Sequence, residues 1–417
     1  MRPLRIVWLC HYFAPEIGAP QARLLEMSRA FVAEGHSVGA VTCFPNHPTG
    51  TLRPADRGRW KRTDELDGID VERCWSLVTP NQGFLRKTLG HLSFMATGWR
   101  GLSRSSRRGR PDVVIVSSPT FFSVFTAWGW CGLRGIPWVF EVRDLWPGVF
   151  VELGVLRNRL LVGLLERMEL FLYRRATRVV PVTRSFADDI ARRGIERPKL
   201  AVVTNGVDLA RFTPGPADEA FARDEGVAGK FVVLYLGAHG ISHALLRVLD
   251  AAERLRDVPD VVFVFVGEGA EKAALVEEAG RRGLPNVRFR GGVEKDRVVQ
   301  WYRAASVGLV PLRAVALFRS FLPSKMFELL ASGVPVVGSV EGEAKEILDE
   351  SGGAVVVPPE DAEGIAAAVR ALRADPERRR RMGAAGRAFV EAHYGRDRLA
   401  RDYLGVLAPL ATGGARG

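Results

Sequence analysis

Cysteine is scarce in this chain, and its placement excludes a disulfide framework. The 417 residues include four cysteines, Cys10, Cys43, Cys74 and Cys131, all in the first third. Their spacing fits no zinc pattern, and the first three close strand-like apolar runs, so reduced thiols in a core are expected. A secretory leader is also missing. Met1-Arg2-Pro3-Leu4-Arg5 runs straight into a short strand, which predicts a cytosolic protein. The chain has no P-loop lysine motif, no H-E-x-x-H and no G-x-S-x-G, which removes P-loop hydrolysis, zinc peptidase and α/β-hydrolase chemistry. No D-x-D triplet occurs, so no carboxylate pair is set aside for a divalent metal on a diphosphate, and neither metal nor cofactor is expected. Long apolar runs are almost absent. The uncharged stretch from Val113 to Leu133 is long enough to span a bilayer, but Ser117-Ser118-Pro119-Thr120 divides it into a strand, a turn and a helix from about Phe121.

Acid is the other deficit. Asp and Glu number 47 against 59 Lys and Arg, a formal charge of +12, which points to an anionic partner. From Gly83 to Pro111 no acid occurs at all. Arg86, Lys87, Arg100, Arg104, Arg107, Arg108 and Arg110 alternate there with Phe84, Leu85, Leu89, Leu92, Phe94, Met95 and Trp99. Such a segment suits an anionic membrane surface, or is the solvated face of an ordinary helix. No nucleic-acid-binding motif surrounds it, so a polynucleotide partner is not expected.

What is present is repeated alternation of apolar strands and amphipathic helices. A chain of 417 residues exceeds one core. Leu4–Cys10, Val38–Cys43, Ile69–Cys74, Val113–Val116, Trp138–Val142, Val179–Val182 and Leu200–Val203 read as buried parallel strands of a first sheet. After the turn-rich Asn205–Pro216 the alternation restarts with Phe231–Leu236, Val261–Val266, Val287–Phe289, Val307–Val310, Val334–Val337 and Ala354–Val357. A helical tail follows. The expected fold is α/β, with two Rossmann-like doubly wound domains facing a central cleft, the place where open parallel sheets bind ligands. Residues 1–210 form the first domain, 211–395 the second, and 396–417 a helical tail returning to the first.

Three loops and one helix carry candidate chemistry. Gly18, in the loop after the first strand, precedes a helix with Pro20 near its start, which makes either an anion cradle or an ordinary tight turn. The second domain opens similarly at Gly237-Ala238-His239-Gly240, and Gly267-Glu268-Gly269 follows its second strand. Arg143 and Asp144 stand at the carboxyl end of a strand and point either into a cleft or into a loop salt bridge. Leu322 to Gly333 reads as a short helix with a lone Glu328 among apolar neighbours. A carboxylate there offers two acceptor oxygens to a vicinal diol, or simply faces the helix dipole. Arg319 and Lys325 flank its start and could neutralise a diphosphate.

Val203-Thr204-Asn205-Gly206-Val207-Asp208 with Arg211-Phe212 and Pro214, Asn286 to Phe289 with Gly291, Glu328 to Val337, Gly342 to Ile347 and Val356 to Asp361 together resemble the retaining nucleotide-sugar glycosyltransferases of family 4, which have the GT-B fold. Tyr12 to Glu16, Phe44 to Gly50, Arg143 to Pro147 and Leu322 to Lys325 look most like a bacterial branch that builds O-antigen, capsule and exopolysaccharide units, N-acetylfucosamine transferases among them. The resemblance implies transfer of a sugar from a nucleoside diphosphate sugar, such as a UDP-sugar, to an acceptor hydroxyl without a metal. A lipid-linked glycan presented at the inner face of the cell membrane is the implied acceptor. With the residues read above, donor binding is expected of Gly18, Gly240, Gly267, Arg319, Lys325 and Glu328, catalysis of Arg143, Asp144 and Lys325, and acceptor contacts of Asn46, His47 and His91. Glu328 matches the second glutamate of the family's E-x7-E element. Ser320 stands where the first belongs, and Ala238 and His243 where the family has its diphosphate-binding arginine and lysine. A sugar-nucleotide 2-epimerase of the same fold, and transfer to a small-molecule acceptor, are the alternatives.

Overall fold

The structure is a computed structural model that describes residues 2–16, 18–46, 50–78, 84–118, 121–152 and 156–413. The chain divides into two compact units, Met1–Thr204 with Arg396–Gly417, and Asn205–Gly395.

The first unit is built on seven strands: β1 (Arg5–Leu9), β2 (Ser37–Cys43), β3 (Lys61–Leu66), β4 (Ile69–Cys74), β5 (Val113–Ser117), β6 (Trp138–Val142) and β7 (Arg178–Pro181). Their order is β3-β4-β2-β1-β5-β6-β7, and every pair is parallel except β3 with β4. The central strands are buried on both faces, as their unbroken apolar sequence requires. The helix Ala19–Ala33 packs Leu24, Met27 and Phe31 inward at helical spacing. The last helix, Arg396–Gly413, lays Leu399, Ala400, Tyr403, Leu404 and Leu407 into the same cluster as Trp8 and Phe31, and Arg396 pairs with Glu26. All four cysteines are buried and free.

Two sequence expectations fail here. Leu200–Val203 is not a strand: it runs beside β7 with two backbone hydrogen bonds and a single bridge at Leu200. β3 was not anticipated because Lys-Arg-Thr-Asp-Glu-Leu is charged, as an edge strand has to be. Its signal was Asp67-Gly68, both at positive φ, the turn that closes the β3–β4 hairpin.

The second unit carries β8 (Phe231–Leu236), β9 (Val261–Val266), β10 (Val287–Arg290), β11 (Val307–Pro311), β12 (Val336–Ser339) and β13 (Ala354–Val357). The order is β10-β9-β8-β11-β12-β13, all parallel. β12 begins two residues later than its apolar run, because Gly333, at φ 69, ends the preceding helix and Val334 is still hydrogen-bonded back to Leu329. Strand order reverses between β8 and β11 in this sheet, and between β1 and β5 in the first. The loops at the carboxyl ends there are the places a ligand can enter. No helix among the described residues is long and apolar enough to cross a membrane.

Candidate functional site

In the second unit the switch point gathers a cationic and an anionic side chain. The helix Ser324–Ala331 follows β11, and it buries Met326, Phe327, Leu329, Leu330 and Ala331. Lys325 and Glu328, three residues apart, share the remaining face. Tyr302, 1% exposed on the helix Lys295–Ala304, donates its hydroxyl to Glu328 Oε2 at 2.7 Å. Burial, then the Glu328 charge, pushes the Tyr302 phenol well above its usual range, so it stays a donor that fixes the carboxylate. Lys325 Nζ lies 4.0 Å from the centre of the Tyr235 ring, is closed to solvent, and has no hydrogen-bond partner among the described residues. Burial lowers its pKa to about 7, against the upward pull of Glu328. This ammonium has traded water for an aromatic face and a nearby carboxylate, and it lacks the acceptor that would complete its shell.

The backbone beside it is held open by glycine. A Cβ on Gly237 would stand 2.6 Å from Lys325 Nζ, and one on Gly267 would stand 2.0 Å from the Gly237 carbonyl oxygen. Both residues lie at positive φ, 147 and 144. The two loops therefore pass in direct backbone contact, with His239 N–H bonded to the Glu268 carbonyl. Gly240, by contrast, sits at φ −122 with open space around its Cα, so the close approach expected of it belongs to Gly237 and Gly267. His239 is fully buried, and neither ring nitrogen has a hydrogen-bond partner among the described residues. Burial and then Lys272 lower it to about 4, while burial and then Lys325 lower His243 to about 3. At neutral pH both histidines are uncharged, so the positive charge near them comes from lysine, Lys325 and the Glu268-paired Lys272. A separate hollow of about 270 Å³, bounded by Ile241, Leu246, Arg313 and Glu360, includes neither Lys325 nor Glu328.

Arg319 lies outside this group. Its side chain is 63% exposed and pairs with Glu341 at 2.9 Å. Ser320 donates to the Leu317 carbonyl. Tyr302 was missed from sequence because nothing marks one tyrosine, 26 residues upstream, as the partner of Glu328.

The remaining candidates lie in the first unit. Gly18 caps the helix Ala19–Ala33 in extended conformation, and a Cβ there would meet the Gln21 side chain at 2.4 Å. Asn46 N–H donates to Glu16 Oε1 at 2.7 Å. His47 falls outside the described residues. His91 packs edge-on to His11, ring centres 4.8 Å apart. Arg143 and Asp144 follow β6. Burial lowers the Arg143 pKa and raises that of Asp144. Beneath them is a buried pair that sequence reasoning missed. Arg23 donates to Glu141, to the Val203 carbonyl and to the Thr204 carbonyl, and Ser117 donates to the other oxygen of Glu141. A solitary glutamate in the apolar run of β6 was its only trace.

Two Rossmann-like units with ligand-ready loops at the switch points define a protein of the GT-B class. Residues 18–206 match the glycosyl transferase 4-like domain, and residues 230–375 match the domain of glycosyl transferases group 1. The chain is thus assembled from two glycosyltransferase domains of the family-4 type. It is 28% identical over 367 residues to the putative colanic acid biosynthesis glycosyl transferase WcaI of Escherichia coli, covering 86% of this chain and 89% of that one. It is 26% identical to the 2-deoxystreptamine N-acetyl-D-glucosaminyltransferase of Streptomyces fradiae, over 96% and 94% of the two chains. In structure it is similar to Anabaena HepE in complex with UDP-glucose, with a TM-score of 0.72, 17% identity and coverage of 97% and 100%. A sucrose-phosphate synthase from Thermosynechococcus elongatus gives a TM-score of 0.75 at 19% identity, covering 98% and 100%.

Proposed function

We propose that the protein transfers a sugar from a nucleoside diphosphate sugar to an acceptor hydroxyl with retention of configuration and without a metal. The observation that carries this reading is the Lys325–Glu328 face. A carboxylate held by Tyr302 suits the vicinal hydroxyls of a ribose, and an enclosed ammonium without an acceptor suits a diphosphate oxygen. As the sugar–phosphate bond breaks, charge grows on the leaving diphosphate. Lys325, together with the positive end of its own helix, stabilises that charge. The acceptor proton passes to the departing phosphate oxygen as the new glycosidic bond forms on the face the leaving group vacates.

The acceptor in this reading is a lipid-linked glycan of a cell-surface polysaccharide, in line with the colanic acid relative. The 84–106 helix serves this reading in part: Leu89 is exposed near its start, while Phe94 and Leu102 are in the core, and Arg104 and, just past its end, Arg108 pair with Glu72 and Asp70. A denser apolar patch lies at the start of the helix Arg159–Arg175, where Leu160, Leu161 and Leu164 are 87%, 39% and 54% exposed between the exposed Arg159 and Arg167, and the reading assigns the membrane contact to it. Transfer to a small aminocyclitol is the second reading, favoured by the Streptomyces fradiae relative, which aligns over nearly the whole chain.

A thermal-shift panel of UDP-, GDP- and dTDP-sugars is the test. At 100 times its Kd, the true donor stabilises the folded chain by about 2.7 kcal/mol. Glu328→Gln and Lys325→Met are each expected to cut donor affinity about tenfold or more. A panel with no shift, or variants that bind as well as the parent, sinks the proposal. Isomerised donor without added acceptor identifies an epimerase instead.

A further inference from the structure

The first unit contains a second cation, some of whose donors find no acceptor in the described structure. Arg143 follows β6, and its backbone N–H donates to Ser118 Oγ just past β5, so it stands over the carboxyl ends beside the β1/β5 switch point. Its Nε and Nη1 are closed to solvent, and neither has a hydrogen-bond acceptor. A guanidinium carries five N–H donors, and leaving the three on Nε and Nη1 dry and unpaired is costly.

The acids around it do not meet that demand. Glu141, on the same strand, accepts from Arg23 through one oxygen and from Ser117 through the other. Asp144, the next residue along the chain, makes no ion pair with Arg143, and burial raises its carboxyl pKa. Arg23 adds like charge from below. Burial outweighs the attraction of Glu141, and the guanidinium is less stable as a cation than in water. Natural proteins retain such strain where a ligand relieves it. Nε and Nη1 donate from different edges of the guanidinium, and a cation with donors left over is best met by an anionic oxygen, as on a phosphate or a carboxylate.

We infer that Arg143 forms an oxyanion subsite in the first unit, receiving a phosphate or carboxylate carried by the substrate that this unit binds. The inference concerns the first unit and does not depend on the assignment of the Lys325–Glu328 face. An acceptor joined to its carrier through phosphate would supply one such group, and a uronic acid unit the other. The two sources make the same demand on the guanidinium and differ only in what carries the oxygens.

The experiment measures melting temperatures of the full chain in chloride buffer, alone and with methyl phosphate or glucuronate, for the parent, Arg143→Met, Arg143→Lys and Lys325→Met. Replacing a half-buried cation whose Nε and Nη1 lack acceptors by an apolar side chain of similar length relieves strain. Arg143→Met is therefore expected to melt about 2–4 °C higher than the parent without anion. At least one anion raises the parent's melting temperature. That rise disappears in Arg143→Met, shrinks in Arg143→Lys and persists in Lys325→Met. A response to methyl phosphate alone assigns a phosphate-bearing substrate, and a response to glucuronate alone a carboxylate-bearing one. The inference is overturned if Arg143→Met melts lower than the parent, if neither anion shifts the parent, or if the shift survives in Arg143→Met and is lost in Lys325→Met. The last result places the anion in the second unit. The Lys325 arm also keeps this outcome distinct from failure of the nucleotide-sugar reading, which the donor panel measures on its own.

Discussion

At the residue scale, Lys325 links ligand binding to pH. Its folded pKa of about 7 lies below the ordinary lysine value of 10.5. Below pH 7 folded and unfolded chains both hold this proton. Between about 7 and 10.5 the unfolded chain holds more, so this group's contribution to stability rises with pH across that window. Donor binding runs the opposite way, because a diphosphate favours the ammonium. Above pH 7 affinity is expected to fall by up to about tenfold per pH unit, with a proton taken up on binding. Calorimetry of the best donor from the panel, at pH 6.5 to 8.5 and in buffers of differing ionisation heat, reads both quantities. Lys325→Met should be weak and flat across the range. A parent whose affinity is also flat means that Lys325 does not face the phosphates. The same residue shows what sequence could convey. Lys325 and Glu328 were legible as a pair on one helix face, because i, i+3 spacing fixes that relation locally. The partnership of Glu328 with Tyr302, and the depressed pKa of Lys325 over the Tyr235 ring, were not. Both arise from elements that meet only after the sheet is assembled.

At the scale of elements, the second unit's site depends on two loops in backbone contact, and glycine is required at some positions but not others. Gly267→Ala forces a side chain to within 2.0 Å of the Gly237 carbonyl oxygen at φ 144. About 1–3 kcal/mol of stability should be lost, and with it the close fit beside Lys325. Gly240→Ala meets nothing within 4 Å at an ordinary φ and should stay within about 0.5 kcal/mol of the parent. Urea unfolding of the two variants separates them, and equal losses would mean that the loops are not packed in this way. Strands were legible where they are central and uniformly apolar, since burial on both faces leaves one composition open to them. The edge strand β3 escaped because an edge must be polar. The run Leu200–Val203 misled because apolar sequence reports burial, and this stretch is covered without entering the ladder beyond Leu200.

At the scale of the whole molecule, the net charge of +12 does not by itself choose a partner, because much of it is spent internally. Arg23, Arg73, Arg104 and Arg193 face Glu141, Asp64, Glu72 and Glu169 in ion pairs within the first unit. One surface groups several exposed leucines with arginine on a single helix start. Between Leu156 and Arg167 the single acid is Glu166, while Leu160, Leu161 and Leu164 stand out from the helix start. Apolar side chains exposed among arginines fit a bilayer with anionic headgroups, where leucine enters the acyl boundary and arginine remains at phosphate depth. Co-sedimentation with phosphatidylglycerol vesicles at low salt should capture the protein, and raising the salt should weaken binding as the arginine share is screened. Burying one leucine contributes about 1.5–3 kcal/mol, so Leu160→Glu with Leu164→Glu should reduce binding at least about tenfold. Arg100→Glu, on the helix whose apolar face is turned into the core, should change it little. Vesicle binding indifferent to the leucine pair, or absent at low salt, would leave the acceptor to be sought among soluble molecules such as the aminocyclitol.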